Sequence, residues 1–284
     1  MQKIAVVTDS NSGIRPEEAK ELGIGLIPMP IYLNDKLYFE NLTLHHSEFY
    51  EKLRADADVR TSQPFPADLT ELWGQLLEKA DAVVYIPMSS GLSGSCEVAK
   101  ALAAEEFPGR VFVADNRRIS VSQRQSVLEA LALAEQGMAA AAIVQKLEAE
   151  SLNAGIYIAV STMKYLKKGG RVTPAAAAVA AALNLKPVLQ IQGDKLDAYK
   201  KVRGMEAACT AMLDALHTEL EGRFAGQKVR LYAAYTGDDG AAEPWLQRVR
   251  EAFPGQDIGC YPLPLSVSCH LGEGALGVGV VKCI

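Results

Sequence analysis

No CxxC pair or Cys/His spacing suited to zinc occurs among the five cysteines, Cys96, Cys209, Cys260, Cys269 and Cys283. Their odd number and scattered positions fit reduced thiols in the cytoplasm better than a disulfide framework. No run approaches the roughly 18 consecutive apolar residues of a membrane span; the alanine-rich stretch 175–183 is the longest candidate and is half that length. Stable membrane insertion is therefore not expected. The opening MQKIAVVTDS has a basic residue and an apolar run, but Asp9 and Ser10 end the run too early for a signal peptide. Excess positive charge is also missing: 29 basic against 34 acidic side chains leave a net charge of −5, spread evenly, so no surface is set up for a phosphate backbone and no nucleic acid is expected. A Walker motif is absent, so ATP is not expected to bind in that manner. Gly272 to Gly277 spells GxGxxG, but only seven residues follow it, too few for a dinucleotide-binding unit. No cofactor or metal is implied.

What remains is an ordinary globular composition, 49% hydrophobic and 22% charged, over 284 residues, which is enough for one large domain or two smaller ones. Residues 3–7 read as a strand, and PEEAKELG supplies a helix with Pro16 in its first turn and Gly23 as its cap. The alternation recurs. AVVYIP at 82–87 leads through a small-residue loop into a helix, and RVFVAD at 110–115 leads into a helix carrying Val127, Leu128, Leu131 and Ala134. A fourth helix, over 66–80, is marked by Leu69, Leu72, Trp73, Leu76 and Leu77. Such alternation predicts α/β architecture with a parallel sheet. Beyond residue 150 strands come in pairs, as where KPVLQI and KLDAYKKV flank a Gly193-Asp194 turn. Helices at 204–221 and 241–252 alternate there with strands at 228–235, 256–263 and 275–281. We therefore expect a parallel-sheet domain over 1–152, a mixed α/β domain over 153–284, and a ligand cleft between them.

In a parallel α/β sheet, ligands bind beyond the carboxyl ends of the strands. Three polar loops fall there: Thr8-Asp9-Ser10, Ser89 to Ser95, and Asp115-Asn116. Thr61-Ser62-Gln63-Pro64 adds hydroxyls ahead of a helix, although alone it would read as a cap or turn. Hydroxyls combined with helix-terminal amides hold a carboxylate or phosphate without a buried cation, so an anion head-group site follows. Gly91-Leu92-Ser93-Gly94-Ser95 also lies where a hydrolase nucleophile elbow would, with Asp238 and His270 later in the chain. A serine hydrolase acting on acyl esters through Ser93 is thus the alternative, although Ser95 replaces the elbow's second glycine. His270, read as part of a glycine-flanked loop, suits either an anion partner or a plain surface histidine, and the sequence leaves both open. His45, His46 and His217 lack a comparable setting. Lys167-Lys168-Gly169-Gly170-Arg171 most simply ends a helix, with Gly169 as cap, and Arg203 reads as a solvated charge.

Taken together, VTDS at 7–10, TSQP at 61–64, SSGLSG at 89–94, LKKGGR at 166–171, KVRG at 201–204 and HLGEGALG at 270–277 resemble the DegV family along essentially the whole chain. That resemblance implies a two-domain fold with one long-chain fatty acid between the domains. It further implies a non-catalytic role in which the acyl carboxylate is presented to a separate ATP-binding fatty acid kinase subunit, giving an acyl phosphate. By position, Thr61 and Ser93 match residues whose hydroxyls hold the carboxylate, and His270 matches a histidine beside the head group. Arg171 matches an arginine near the opening, and Arg203 a position implicated in kinase contact in some members. Asp9, Ser10, Ser62, Gly94, Asn116, Gly272 and Gly274 fall in the loops expected to support the site. Leu271 and Glu273 depart from the family's usual HTGPG-like loop, removing a hydroxyl and adding a negative charge, which puts the kinase role in question. Burying the tail would supply the affinity, at roughly 0.8 kcal/mol per methylene before association costs. The stretch 175–183 reads as close helix packing more simply than as a tunnel wall.

Overall fold

The computed structural model describes every residue except Met1, 180–184, Asp194, Asp239 and Ala241, together with the side chains of 177–179 and Leu185 left aside. Strand β1 (Ile4–Asp9) is followed by helix α1 (Pro16–Leu22) and strand β2 (Gly25–Ile27). Pro16 sets φ for the first turn of α1, and Gly23, at φ 67°, closes it in the left-handed region. After strands β3 (Pro30–Leu33) and β4 (Lys36–Phe39) come α2 (His46–Arg54), β5 (Val59–Thr61) and α3 (Pro66–Leu77). The first half closes with β6 (Ala82–Ile86), α4 (Ser95–Glu106), β7 (Val111–Val113), α5 (Val121–Glu135) and α6 (Ala140–Ala149).

Strands β1, β2, β6 and β7 form a parallel sheet in the order β2-β1-β6-β7. Both faces are covered, so the central strand β6 is buried along its whole length, as a parallel strand under helices on either side must be. Trp73 of α3 is fully buried against one face, edge-on to Tyr85. Strands β3, β4 and β5 make a separate antiparallel sheet that the sequence reading did not contain.

The second half runs β8 (Ala154–Ala159), α7 (Lys164–Gly169), α8 (Pro174–Val179), β9 (Leu185–Ile191), β10 (Asp197–Arg203) and α9 (Gly204–Glu221). It ends with β11 (Val229–Tyr235), α10 (Ala242–Ala252), β12 (Ile258–Pro262), α11 (Leu265–Leu271) and β13 (Leu276–Lys282). Its sheet order is β10-β9-β8-β13-β11-β12, antiparallel throughout except for the β11/β12 pair, which is the mixed sheet expected. The pairing of β9 with β10 bears out the paired-strand reading there, while Asp194 of the expected turn lies outside the described residues, as does part of the alanine-rich stretch.

Two local expectations are corrected. The left-handed cap of α7 is Gly170, at φ 65°, and Gly169 is the last helical residue. His270 sits in α11 rather than in a loop, because the helix runs on to Leu271 before Gly272 ends it. Helix α11 packs Leu265 and Cys269 into the core beneath β3 and α2, so this piece of the C-terminal half is held by the small antiparallel sheet. Among the described residues no helix is long and apolar enough to cross a membrane.

Candidate functional site

A cavity of about 210 Å3 opens where the two larger sheets and α11 meet. Thr61 is the last residue of β5, placed at the opening by its pairing with Ile31. Its hydroxyl lies 2.9 Å from His270 Nε2. In the Nε2–H tautomer the ring donates to Thr61 Oγ1, which leaves the threonine's own proton for a ligand oxygen. Ser93 stands in the tight loop between β6 and α4. There Ser89 O accepts from the Leu92 and Ser93 N–H groups, at 3.1 and 3.2 Å, while Ser89 Oγ donates to Gly193 O at 2.9 Å. Ser93 Oγ accepts from Ser95 N–H at 3.2 Å and keeps its own proton to donate.

Around these two hydroxyls the opening is completed by Ser62, Gln63, Gly94 and the exposed Arg171, whose guanidinium donates to Gly169 O. The rest of the wall is largely apolar, with Met88, Leu92, Ile156, Ile158, Leu196 and Leu263 prominent. Burial, with a smaller contribution from Arg171, pushes the imidazole of His270 down to about 4, so the ring is neutral near pH 7. A cavity of this kind offers neutral donors at one end, a cation at its lip and an apolar interior. It suits an amphipathic anion whose head meets donors and whose tail leaves water.

Several other expected residues act from behind the wall. Asp9 is fully buried and accepts from Met88 N–H at 2.9 Å, Asn11 N–H at 3.0 Å and Gln123 Nε2 at 3.0 Å, which ties the loops after β1 and β6 to helix α5. Desolvation raises its pKa against those bonds. Ser10 Oγ donates to Glu40 Oε2 at 2.8 Å, and Asn116 Oδ1 accepts from Arg118 N–H at 3.2 Å; neither residue faces the cavity. Gly272 and Gly274 likewise lie outside it. Gly272, at φ 75°, is packed so tightly that a Cβ would come within 2.6 Å of the Tyr165 ring. Arg203 ends β10, is exposed, and is not part of the lining.

The hydrolase alternative fares poorly on geometry. His270 engages Thr61, and Asp238 accepts from Arg54 Nη2 at 2.8 Å, so the base and the acid a triad would need are both committed elsewhere. Glu273, the added charge of the last loop, accepts from Arg54 Nε at 2.9 Å and faces away from the cavity. Sequence reasoning missed Asn11, Ser120, Ser266 and Glu40. The first three line the cavity and the fourth anchors α11; Asn11 directly follows the VTDS motif, whereas Ser120, Ser266 and Glu40 have no motif to mark them.

Fold and site together define an α/β protein with an amphipathic cavity open to solvent at one end, the form of a ligand-binding protein. A protein-family model described as "Uncharacterised protein, DegV family" matches residues 3–283, and the chain belongs to the DegV family. It is 33% identical to a DegV domain-containing protein of Deinococcus radiodurans and 30% identical to one of Listeria monocytogenes, with 98% of both chains covered in each case. Among solved structures it is similar to a fatty-acid-binding DegV family protein of Thermus thermophilus, with TM-score 0.88, 32% identity and 99% of each chain covered. It is also similar to DegV of Bacillus subtilis, described as a fatty acid binding protein, with TM-score 0.87, 26% identity, and 99% and 100% of the two chains covered. The fold is thus the α/β DegV fold, with its parallel and mixed sheets.

Proposed function

We propose that this protein binds one long-chain fatty acid, with the carboxylate at Thr61 and Ser93 beside neutral His270 and the tail along the apolar wall. The observation that carries this reading is the cavity itself, in which two hydroxyls with donatable protons stand at the opening of a largely apolar interior. Fatty-acid-binding relatives of the same fold at 32% and 26% identity support it. Burial of each methylene is worth roughly 0.8 kcal/mol, so the tail supplies affinity while the hydroxyls fix orientation. The two units, 1–152 and 153–284, would each contribute one side of the cavity.

On this reading the chain is non-catalytic and presents the acyl carboxylate to a separate ATP-binding kinase subunit. Arg171, exposed in the cavity lining, would stabilise charge during phosphoryl transfer, and exposed Arg203 would be available for partner contact. Native mass spectrometry of the purified protein, followed by denaturation and lipid analysis, tests the binding reading. A co-purifying or readily loaded fatty acid is expected, and a chain that stays empty when offered long-chain acids overturns it.

A further inference from the structure

One polar group on the cavity wall is not used by this reading. Ser120 immediately precedes the 15-residue helix α5 and lines the cavity. It is 4% exposed. Its N–H donates to Asn11 O at 2.8 Å, but its hydroxyl does not cap the helix and makes no hydrogen bond with the described residues. The neighbouring Val121 N–H, first of the helix, also has no acceptor among them. The residue as a whole is buried, but its hydroxyl has no partner and faces the cavity, so it is free to bond a polar group that enters there. The backbone here is strained as well, at φ 54° and ψ −131°, a conformation in which a serine is rare.

The setting fixes what that partner can be. Asn11 and Ser266 line the same stretch but are already engaged: Ser266 Oγ donates to Asn11 Oδ1 at 2.6 Å, and Asn11 Nδ2 donates to Asp9 Oδ1 at 3.0 Å. Behind them lie two buried carboxyl groups, Asp9 and Glu40. An anion beside Ser120 would therefore find the neighbouring side-chain donors already engaged. The cavity's cation, Arg171, is at the lip, where it bears on His270. Ser266 and His270 are four residues apart on α11, so this inner polar stretch lies about 6 Å along the helix from the opening. A neutral hydroxyl suits the place, since it can donate to Ser120 Oγ while accepting from Val121 N–H, or instead accept from the Ser120 hydroxyl.

We infer that Ser120 forms a second polar subsite for a hydroxyl group on the acyl chain, making hydroxylated long-chain fatty acids a ligand class of this cavity. The inference rests on the fatty-acid reading above and adds to it a position along the chain. The hydroxyl belongs a few carbons from the carboxylate, where the chain passes Ser120, and elsewhere it would meet apolar wall.

The test compares the delipidated full chain with Ser120→Gly, a change that removes the hydroxyl at a backbone conformation glycine adopts freely. Hexadecanoic acid and a set of its positional hydroxy isomers are titrated against both by displacement of a fluorescent fatty acid. One isomer should bind the wild type at least as well as the parent acid, while isomers hydroxylated elsewhere bind worse. In Ser120→Gly the affinity ratio of that isomer to the parent should fall about tenfold, the loss of one buried hydrogen bond. Rejection of every hydroxy isomer by a wild type that binds the parent acid overturns the inference and leaves the fatty-acid reading standing. An unchanged ratio in Ser120→Gly also overturns it, because Ser120 would then serve an ordered water or the carboxylate. If the parent acid itself does not bind, it is the fatty-acid reading that has failed.

Discussion

Glu40 shows how one side chain can matter without touching the ligand space. Fully buried, it accepts from Leu265 N–H at 2.5 Å and from Ser10 Oγ at 2.8 Å, holding the first turn of α11 against β4. No side chain of α11's own flank caps that helix, so a carboxyl just beyond the distant strand β4 does so. Desolvation outweighs these bonds and pushes its pKa up to about 7 from 4.5. Below the ordinary carboxyl range the folded and unfolded chains both hold the proton, and the contribution to stability is greatest. As pH rises, the unfolded chain gives up its proton first. Stability from this group therefore falls through the interval up to the folded value, then levels off, by about 3 kcal/mol in all. Glu40→Gln keeps an acceptor for Leu265 N–H and cannot ionise. Urea unfolding at about pH 5 and about pH 8 should show the variant gaining on the wild type by about 2.5 kcal/mol between the two. A constant difference would mean that Glu40 is ionised in the folded protein throughout.

At the scale of elements, α7 and α11 carry the site's electrostatics, and their close approach depends on a missing side chain. A Cβ on Gly169 would come within 2.3 Å of His270 Nδ1. Gly169→Ala should therefore shift the imidazole off Thr61 and weaken fatty-acid binding by about tenfold, while leaving the fold intact, since alanine is a better helix former than glycine. Binding titration with circular dichroism on the same samples would check both halves. The long elements were legible in sequence because period and caps agreed: the 66–80 expectation became α3, Pro66–Leu77, and 204–221 matched α9 residue for residue. Strands β3, β4 and β5 were not legible, because segments of three or four residues are too short for alternation to register. His270 was expected in a loop because glycines follow it at 272 and 274; packing of Leu265 and Cys269 against the small sheet carries the helix as far as Leu271 before those glycines act. Gly169 was assigned to capping for the same reason: sequence shows a glycine beside a helix end, but not the ring lying against it.

Over the whole molecule, the cavity exists because parts far apart in sequence close on one another. Ser266 donates to Asn11 across 255 positions, Tyr50 OH donates to Ser268 Oγ at 3.0 Å, and Tyr232 OH donates to Gln125 Oε1 at 2.7 Å. The motif residues Thr61, Ser93 and His270 were legible as a group through their resemblance to a family pattern. The inner polar wall was not, since Asn11, Ser120 and Ser266 meet only after folding. The central claim is that the two hydroxyls at the opening hold a carboxylate. Each hydrogen bond to a charged group is worth roughly 1.5–3 kcal/mol. The most direct measurement is an equilibrium titration of hexadecanoic acid and its methyl ester against delipidated wild type and the Thr61→Val/Ser93→Ala double variant. The account predicts that the wild type prefers the acid strongly and that the double variant loses at least about a hundredfold in affinity for the acid but little for the ester. Equal acid affinity in the two folded proteins would contradict it.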